Sequence, residues 1–204
     1  SEAKELPSIG YVRQLSAEGV LSLDPTIIIG EDDMGPPSVM EQIKRTNVEI
    51  KIIPENHTVE GILEKVKCVS KIIGADSDEL IDTYLNPKIK KLEQQTDLED
   101  KKKIIYILGM QSGSPLIAGK NTSGNGLINI SGGVNPLASF DGWKPVGTES
   151  IIEAAPDLII ISERGLRGFG TLEDLRNHPA LYLTPTAKNN KIISIDGMAS
   201  LGFG

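Results

Sequence analysis

The chain has 204 residues, 39% of them hydrophobic, and a formal net charge of −7. That length and apolar content suit one or two compact domains. The acidic balance, with no basic stripe, argues against nucleic acid as a partner. The single cysteine excludes an internal disulfide, and no run of about 20 apolar residues is present to span a bilayer.

The first informative stretch is PSIGYVRQLSAEGVLSLDP, residues 7–25. Tyr11 and Arg13 stand two apart, after Gly10 and before an amphipathic helix over 16–23. Tyrosine is scarce, with four in the chain. A phenolate is a hard oxygen donor suited to ferric iron, and tyrosine is a known haem ligand. A cationic neighbour favours the ionised phenol. The alternative stays open at this point: Tyr11 covers the helix start and Arg13 is a surface charge.

A buried strand is expected over 26–30 (TIIIG), followed by the loop GEDDMGPP (30–37). A helix over 36–47 carries a capping-box pattern in Ser38 and Glu41. A second strand follows over 49–54, then a helix over 58–74, where Thr58 and Gly61 make a poor capping box. Cys68 lies on the same helical face as Val69 and Ile72, which predicts a buried thiol rather than a nucleophile. The segment 77–102 reads as a long helix capped by Ser77 or Asp78. Pro87 should kink it or split it at Asn86. A helix of about 20 residues spans about 30 Å, enough to bridge two lobes.

Lysines 101–103 lead into a strand over 103–109, read as a solvated strand entry. A Gly-rich loop follows over 109–126. Strands are then expected over 157–162 and 191–196, with the loop SERGLRGFG (162–170) after the first of them. Ile-rich runs alternating with helical patterns predict an α/β fold with buried parallel strands. The halves repeat: residues 17–29 align without a gap on 148–160. Glu18 falls on Glu149, Val20 and Leu21 on Ile151 and Ile152, and Pro25 on Pro156. This predicts two lobes with equivalent positions.

In open parallel sheets, ligands bind beyond the carboxyl ends of the strands, so the loops 30–37, 109–126 and 162–170 are the candidates. GSPLIAGK resembles a phosphate loop, but Gly113 to Gly119 is one residue too long. Asn121 also stands where Ser or Thr should hold magnesium. Glu31, Asp32 and Asp33 have no partnered histidine and read as a loop and helix-start cluster. His57 and His178 lack metal-ligand spacing. No Ser-His-Asp or Cys-His arrangement emerges, so no enzyme is predicted. Arg164 and Arg167 could meet the carboxylates of a ligand.

The stretch LPSIGYVRQLSAEGVLSLDPTIII resembles the haem (hemin) ABC-transporter substrate-binding proteins of bacteria. So do SGSPLIAGKNTSGNGLINISGGVN, GWKPVGTESIIEAAPDLIIIS and LTPTAKNNKIISIDGMASLGFG. The resemblance covers almost the whole chain. It implies a class III periplasmic binding protein fold: two Rossmann-like lobes with parallel sheets, joined by one long rigid helix. The lobes would be 1–75 and 103–204, with the linking helix in 76–102. Relatives carry a further strand and helix before this region and a helix after it, so the chain is expected to be trimmed at both ends.

The resemblance further implies that Tyr11 is the axial ligand of haem iron and that Arg13 orients or ionises it. Glu18 and Glu149 would dock on arginines of the permease. Arg164 would meet haem, and Phe140 and Trp143 would pack on the porphyrin or, equally, in the core. No histidine stands in 135–145 to supply a second ligand. The implied function is extracytoplasmic haem capture for an ABC importer, without catalysis, in the periplasm or on a lipoprotein. The partners would be haem, the permease and an outer-membrane haem receptor system, and the protein would be a monomer. A ferric siderophore or a corrinoid is the alternative cargo, and an α/β enzyme the alternative of another class.

Overall fold

The structure is a computed structural model that describes residues 5–97 and 99–201. The closing residues 202–204, part of the LGFG stretch, lie outside the described residues. The chain forms two compact units. The first runs to Asn56 and resumes over Leu63–Ser77; the second takes His57–Ile62 and the chain from Asp78 onward.

In the first unit, β1 (Ile27–Gly30) and β2 (Glu49–Ile52) pair in parallel, with Ile27 opposite Glu49 and Gly30 opposite Ile52. The helix α1 (Ala17–Leu21) is capped by Ser16, whose Oγ accepts from the Gly19 amide at 3.3 Å. The helix α2 (Pro37–Lys44) does not use the expected capping box. Pro37 opens it, so Ser38 falls inside the first turn. Proline suits that first position because its missing N–H has no intrahelical partner there anyway. The helix α3 (Val59–Ile73) is capped by Thr58, which accepts from the Gly61 amide at 3.0 Å without the box's glutamate. Cys68 on α3 is partly rather than fully buried. Leu15, Val20, Met34, Met40 and Ile43 form this unit's core against Ile28 and Ile50.

Where Pro87 was expected to kink or split the helix, the turn ahead of it widens instead. The helix α4 (Asp78–Leu80) runs into a π turn (Ile81–Leu85) and then α5 (Asn86–Thr96). The Asn86 amide reaches the Ile81 carbonyl, five residues back. Proline has no amide hydrogen and crowds the carbonyl four residues earlier, and a single wide turn ahead of it absorbs both effects. This helical segment packs with the second unit.

The second unit's sheet has the order β5-β4-β3-β6-β7. The strands β3 (Ile104–Gln111), β6 (Leu158–Ser162) and β7 (Ile192–Ile195) are parallel. However, β4 (Ser114–Ala118) and β5 (Trp143–Pro145) are antiparallel additions. The expected loop over 109–126 is therefore corrected. It is a hairpin followed by α6 (Ser123–Ile130), which Thr122 caps by accepting from Asn125 at 3.1 Å. The hairpin turns through Ser112 (φ 51°) and Gly113 (φ 80°). Two successive positive φ angles match the twist of the flanking strands.

Both faces of this sheet are covered. Ile105, Ile107, Ile159 and Ile161 point to one face with Leu175 and Leu181; Ile104, Tyr106 and Ile160 point to the other with Ile128. Burial on both sides is why these strands read as continuous apolar runs.

The repeat is present in three dimensions. The helix α7 (Thr148–Ala154) leads into β6 as α1 leads into β1. Val20 and Ile151, aligned in sequence, are both buried. Asp24 (φ 48°) and Ala155 (φ 43°), each just before the aligned prolines, are both left-handed.

Candidate functional site

In the first unit, Gly10 turns the chain at φ 91°, with open space where a side chain would be. Its glycine thus serves backbone conformation rather than close packing. Tyr11 follows and leads a 3-10 turn (Val12–Gln14), closed by the Gln14 amide on the Tyr11 carbonyl at 2.8 Å. Two backbone bonds stitch this turn to the loop after β1. The Gly35 amide donates to the Val12 carbonyl at 3.0 Å, and the Leu15 amide to the Gly35 carbonyl at 2.8 Å. The turn is thereby held to the loop that leaves the carboxyl end of β1, where ligand sites of parallel sheets form.

Tyr11 is 52% exposed, so its phenol is available to a ligand. Arg13 is not a free surface charge. Its Nε donates to Asp33 Oδ2 at 2.7 Å, and its Nη2 lies 2.7 Å from the same oxygen. The hydrogen bond to Asp33 holds the guanidinium above its ordinary value. Burial opposes this, while the charges of Asp33, Tyr11 and Glu55 add to it. Arg13, two residues after Tyr11 in the chain, and Asp33 are thus a hydrogen-bonded ion pair. An apolar cavity of about 140 Å³, lined by Gly10, Val12, Leu15 and Ile28 among others, adjoins the turn. Ligand pockets run to roughly 300–1,000 Å³, so this cavity is a packing gap and not the ligand's seat.

The acidic trio of the loop after β1 divides its work. Glu31 pairs with Lys65 at 2.9 Å, Asp33 with Arg13, and Asp32 is exposed. Among the described residues, no group of three or more His, Cys, Asp or Glu could hold a metal ion. Sequence reading missed the pairing of Asp33 with Arg13. The loop's position at a strand's carboxyl end was the available signal, but the partner lies 20 residues away.

In the second unit, Arg164 sits on α8 (Glu163–Leu166), directly after β6, and Arg167 closes that helix; both are exposed. Ser162 caps it by accepting from the Gly165 amide at 3.0 Å. Phe140 and Trp143 are partly buried and have packing duties. Phe140 packs on the larger core, and a side chain at Gly119 would collide with it. Lys144 Nζ lies 5.5 Å from its ring centroid. Trp143 meets Tyr106 edge-on, with centroids 5.9 Å apart, and a Cβ at Gly124 would stand 2.8 Å from its ring. Glu18 and Glu149 are both exposed in the first turns of α1 and α7.

The periplasmic binding protein family matches residues 1–199. The chain belongs to this family. Among solved structures, this periplasmic binding protein is similar to the periplasmic heme-binding protein RhuT from Roseiflexus sp. RS-1 in its apo form. The TM-score is 0.89 and the identity 30%, over 98% of this chain and 78% of that one. It is also similar to the periplasmic heme-binding protein HutB of Vibrio cholerae, with TM-score 0.85 and 31% identity over 99% of this chain and 79% of that one. A curated relative, the uncharacterized ABC transporter substrate-binding lipoprotein YvrC of Bacillus subtilis (strain 168), is 20% identical over 168 residues. That match covers 79% of this chain and 53% of the relative, so the chain spans about half of its length.

Proposed function

We propose that this periplasmic binding protein captures ferric haem outside the cytoplasm and delivers it to an ABC importer. The observation that carries the reading is the exposed Tyr11 phenol at the head of the turn that carries Arg13, held through Gly35 to the loop at the carboxyl end of β1. The likeness to two heme-binding proteins at about a third of residues identical, over nearly the whole chain, supports haem as the cargo. Tyr11 is the proposed axial ligand, and Arg13 its cationic neighbour. Arg164 is a proposed partner of a propionate, since an exposed guanidinium offers the fork that carboxylates accept. Phe140 and Trp143 would offer the porphyrin only what their packing leaves exposed. The protein works by binding and release, with no catalytic step, as a monomer.

Glu18 and Glu149, equivalent in the repeat and exposed in the same helical turn, are proposed to dock on the permease. An outer-membrane haem receptor would stand upstream, and the setting is periplasmic or lipoprotein-anchored. Titration with ferric haem in competition with a ferric siderophore and a corrinoid tests the cargo. Saturable haem binding that neither competitor displaces is expected; displacement by either would move the cargo to that class. Lysine at both Glu18 and Glu149 should abolish uptake and leave haem binding unchanged, and a loss of binding would refute the division of roles.

A further inference from the structure

Asp33 sits in the acidic loop after β1 and does not belong to the ligand set described above. Its Oδ2 receives both Arg13 Nε and Nη2 at 2.7 Å. Its Oδ1 is buried without a hydrogen-bond partner among the described residues. The carboxylate is therefore committed to Arg13 through one oxygen. The backbone around it is fixed independently, because Gly35, two residues on, exchanges two bonds with the turn that carries Tyr11 and Arg13. An arginine side chain has many rotamers, and an exposed one is rarely held in a single place without a partner.

We propose that Asp33 is the positioning residue of the site. It fixes Arg13 by its Nε edge and leaves the remaining N–H donors of the guanidinium for the phenolate oxygen of Tyr11. The assignment rests on the reading of Tyr11 as the iron ligand. A carboxylate that merely stabilised the loop would act on every ligand alike. One that acts through Arg13 matters only where the phenolate meets iron.

The first readout needs no ligand. In the nitrogen-15 spectrum of the protein, the Arg13 Nε–H signal is expected to be shifted and protected from exchange, and Asp33→Ala should collapse it into the solvent-exposed arginine envelope. An unchanged signal overturns the proposal. The second readout compares ferric haem with metal-free protoporphyrin. Asp33→Ala should weaken ferric haem about tenfold, the size of one lost charge-assisted hydrogen bond, and leave protoporphyrin unchanged. Asp33→Asn, which keeps an acceptor, should recover part of the loss. In an Arg13→Ala background the effect of Asp33→Ala should vanish. Equal weakening of both ligands, persistence of the effect without Arg13, or tighter haem binding would each overturn the assignment. Tyr11→Phe run alongside separates the two readings. If it keeps the wild-type haem spectrum, the tyrosinate reading falls, and the Arg13 signal of the ligand-free protein still decides whether Asp33 positions Arg13.

Discussion

Arg13 and Tyr106 show how differently single residues are spent in the two units. The Arg13–Asp33 pair is solvent-reached, with side chains 59% and 27% exposed. Pairs of this kind add roughly 0–1 kcal/mol to stability, so its value lies in placement. Tyr106 is fully buried, with its hydroxyl 2.9 Å from Ser200 Oγ. Burial raises its phenol above the ordinary value, and hydrogen bonds to Ser200 and Ser162 pull it partly back. The ordinary tyrosine titrates near pH 10. Above that the unfolded chain loses this proton while the folded chain keeps it, so stability falls as pH rises through the raised folded value. Tyr106→Phe should flatten that alkaline loss in urea melts taken at successive pH values. An unaltered alkaline limb would place its origin elsewhere. Tyr11 was legible as a candidate because it is scarce and sits in the GYVR stretch. Asp33 was not, since a loop carboxylate shows its partner only in three dimensions.

The helix–turn–strand unit is the element that the chain uses twice, and its backbone repeats as faithfully as its wording. The left-handed residue before each proline is Asp24 in one copy and Ala155 in the other. Aspartate tolerates this conformation through local hydrogen bonding, whereas alanine gains nothing from it. Ala155→Gly should therefore stabilise the protein by about 0.5–1 kcal/mol, and Asp24→Gly by less. Chemical denaturation of the two variants checks this, and a destabilised Ala155→Gly would contradict it. The positions of β3 and β6 were legible because apolar runs buried on both faces leave no charged interruption, whereas β2, expected to be buried, is mostly exposed. The β3–β4 hairpin was not, because Gly109, Gly113 and Pro115 give the stretch a loop's composition. Its two-residue Ser-Gly turn supplies the register instead. Pro87 marked a disturbance where a kink or a split was expected, and a π turn ahead of it keeps the helix running.

Over the whole molecule, the two units differ in what holds them. The first has a two-stranded sheet and a small core around Ile43; the second has a five-stranded sheet with isoleucines buried on both faces. Two strands alone are marginal, so the amides of β1 and β2 should exchange with solvent faster than those of β3 and β6. Ile43 and Ile107 are each fully buried, and truncating such a residue to alanine costs about 2–5 kcal/mol. Hydrogen exchange should show Ile43→Ala loosening the first unit and Ile107→Ala the second. Equal protection of both sheets would contradict this division. The unequal cores were not legible in the repeat, because the antiparallel strands that enlarge the second unit have no counterpart in the repeated wording.

Haem capture by this protein turns on Tyr11 as the proposed ligand of the iron. The decisive experiment is a ferric haem titration followed by visible absorption, on the protein and on Tyr11→Phe. A saturable high-spin spectrum of tyrosinate type, lost in the variant, is expected. An identical spectrum and affinity in Tyr11→Phe would contradict it.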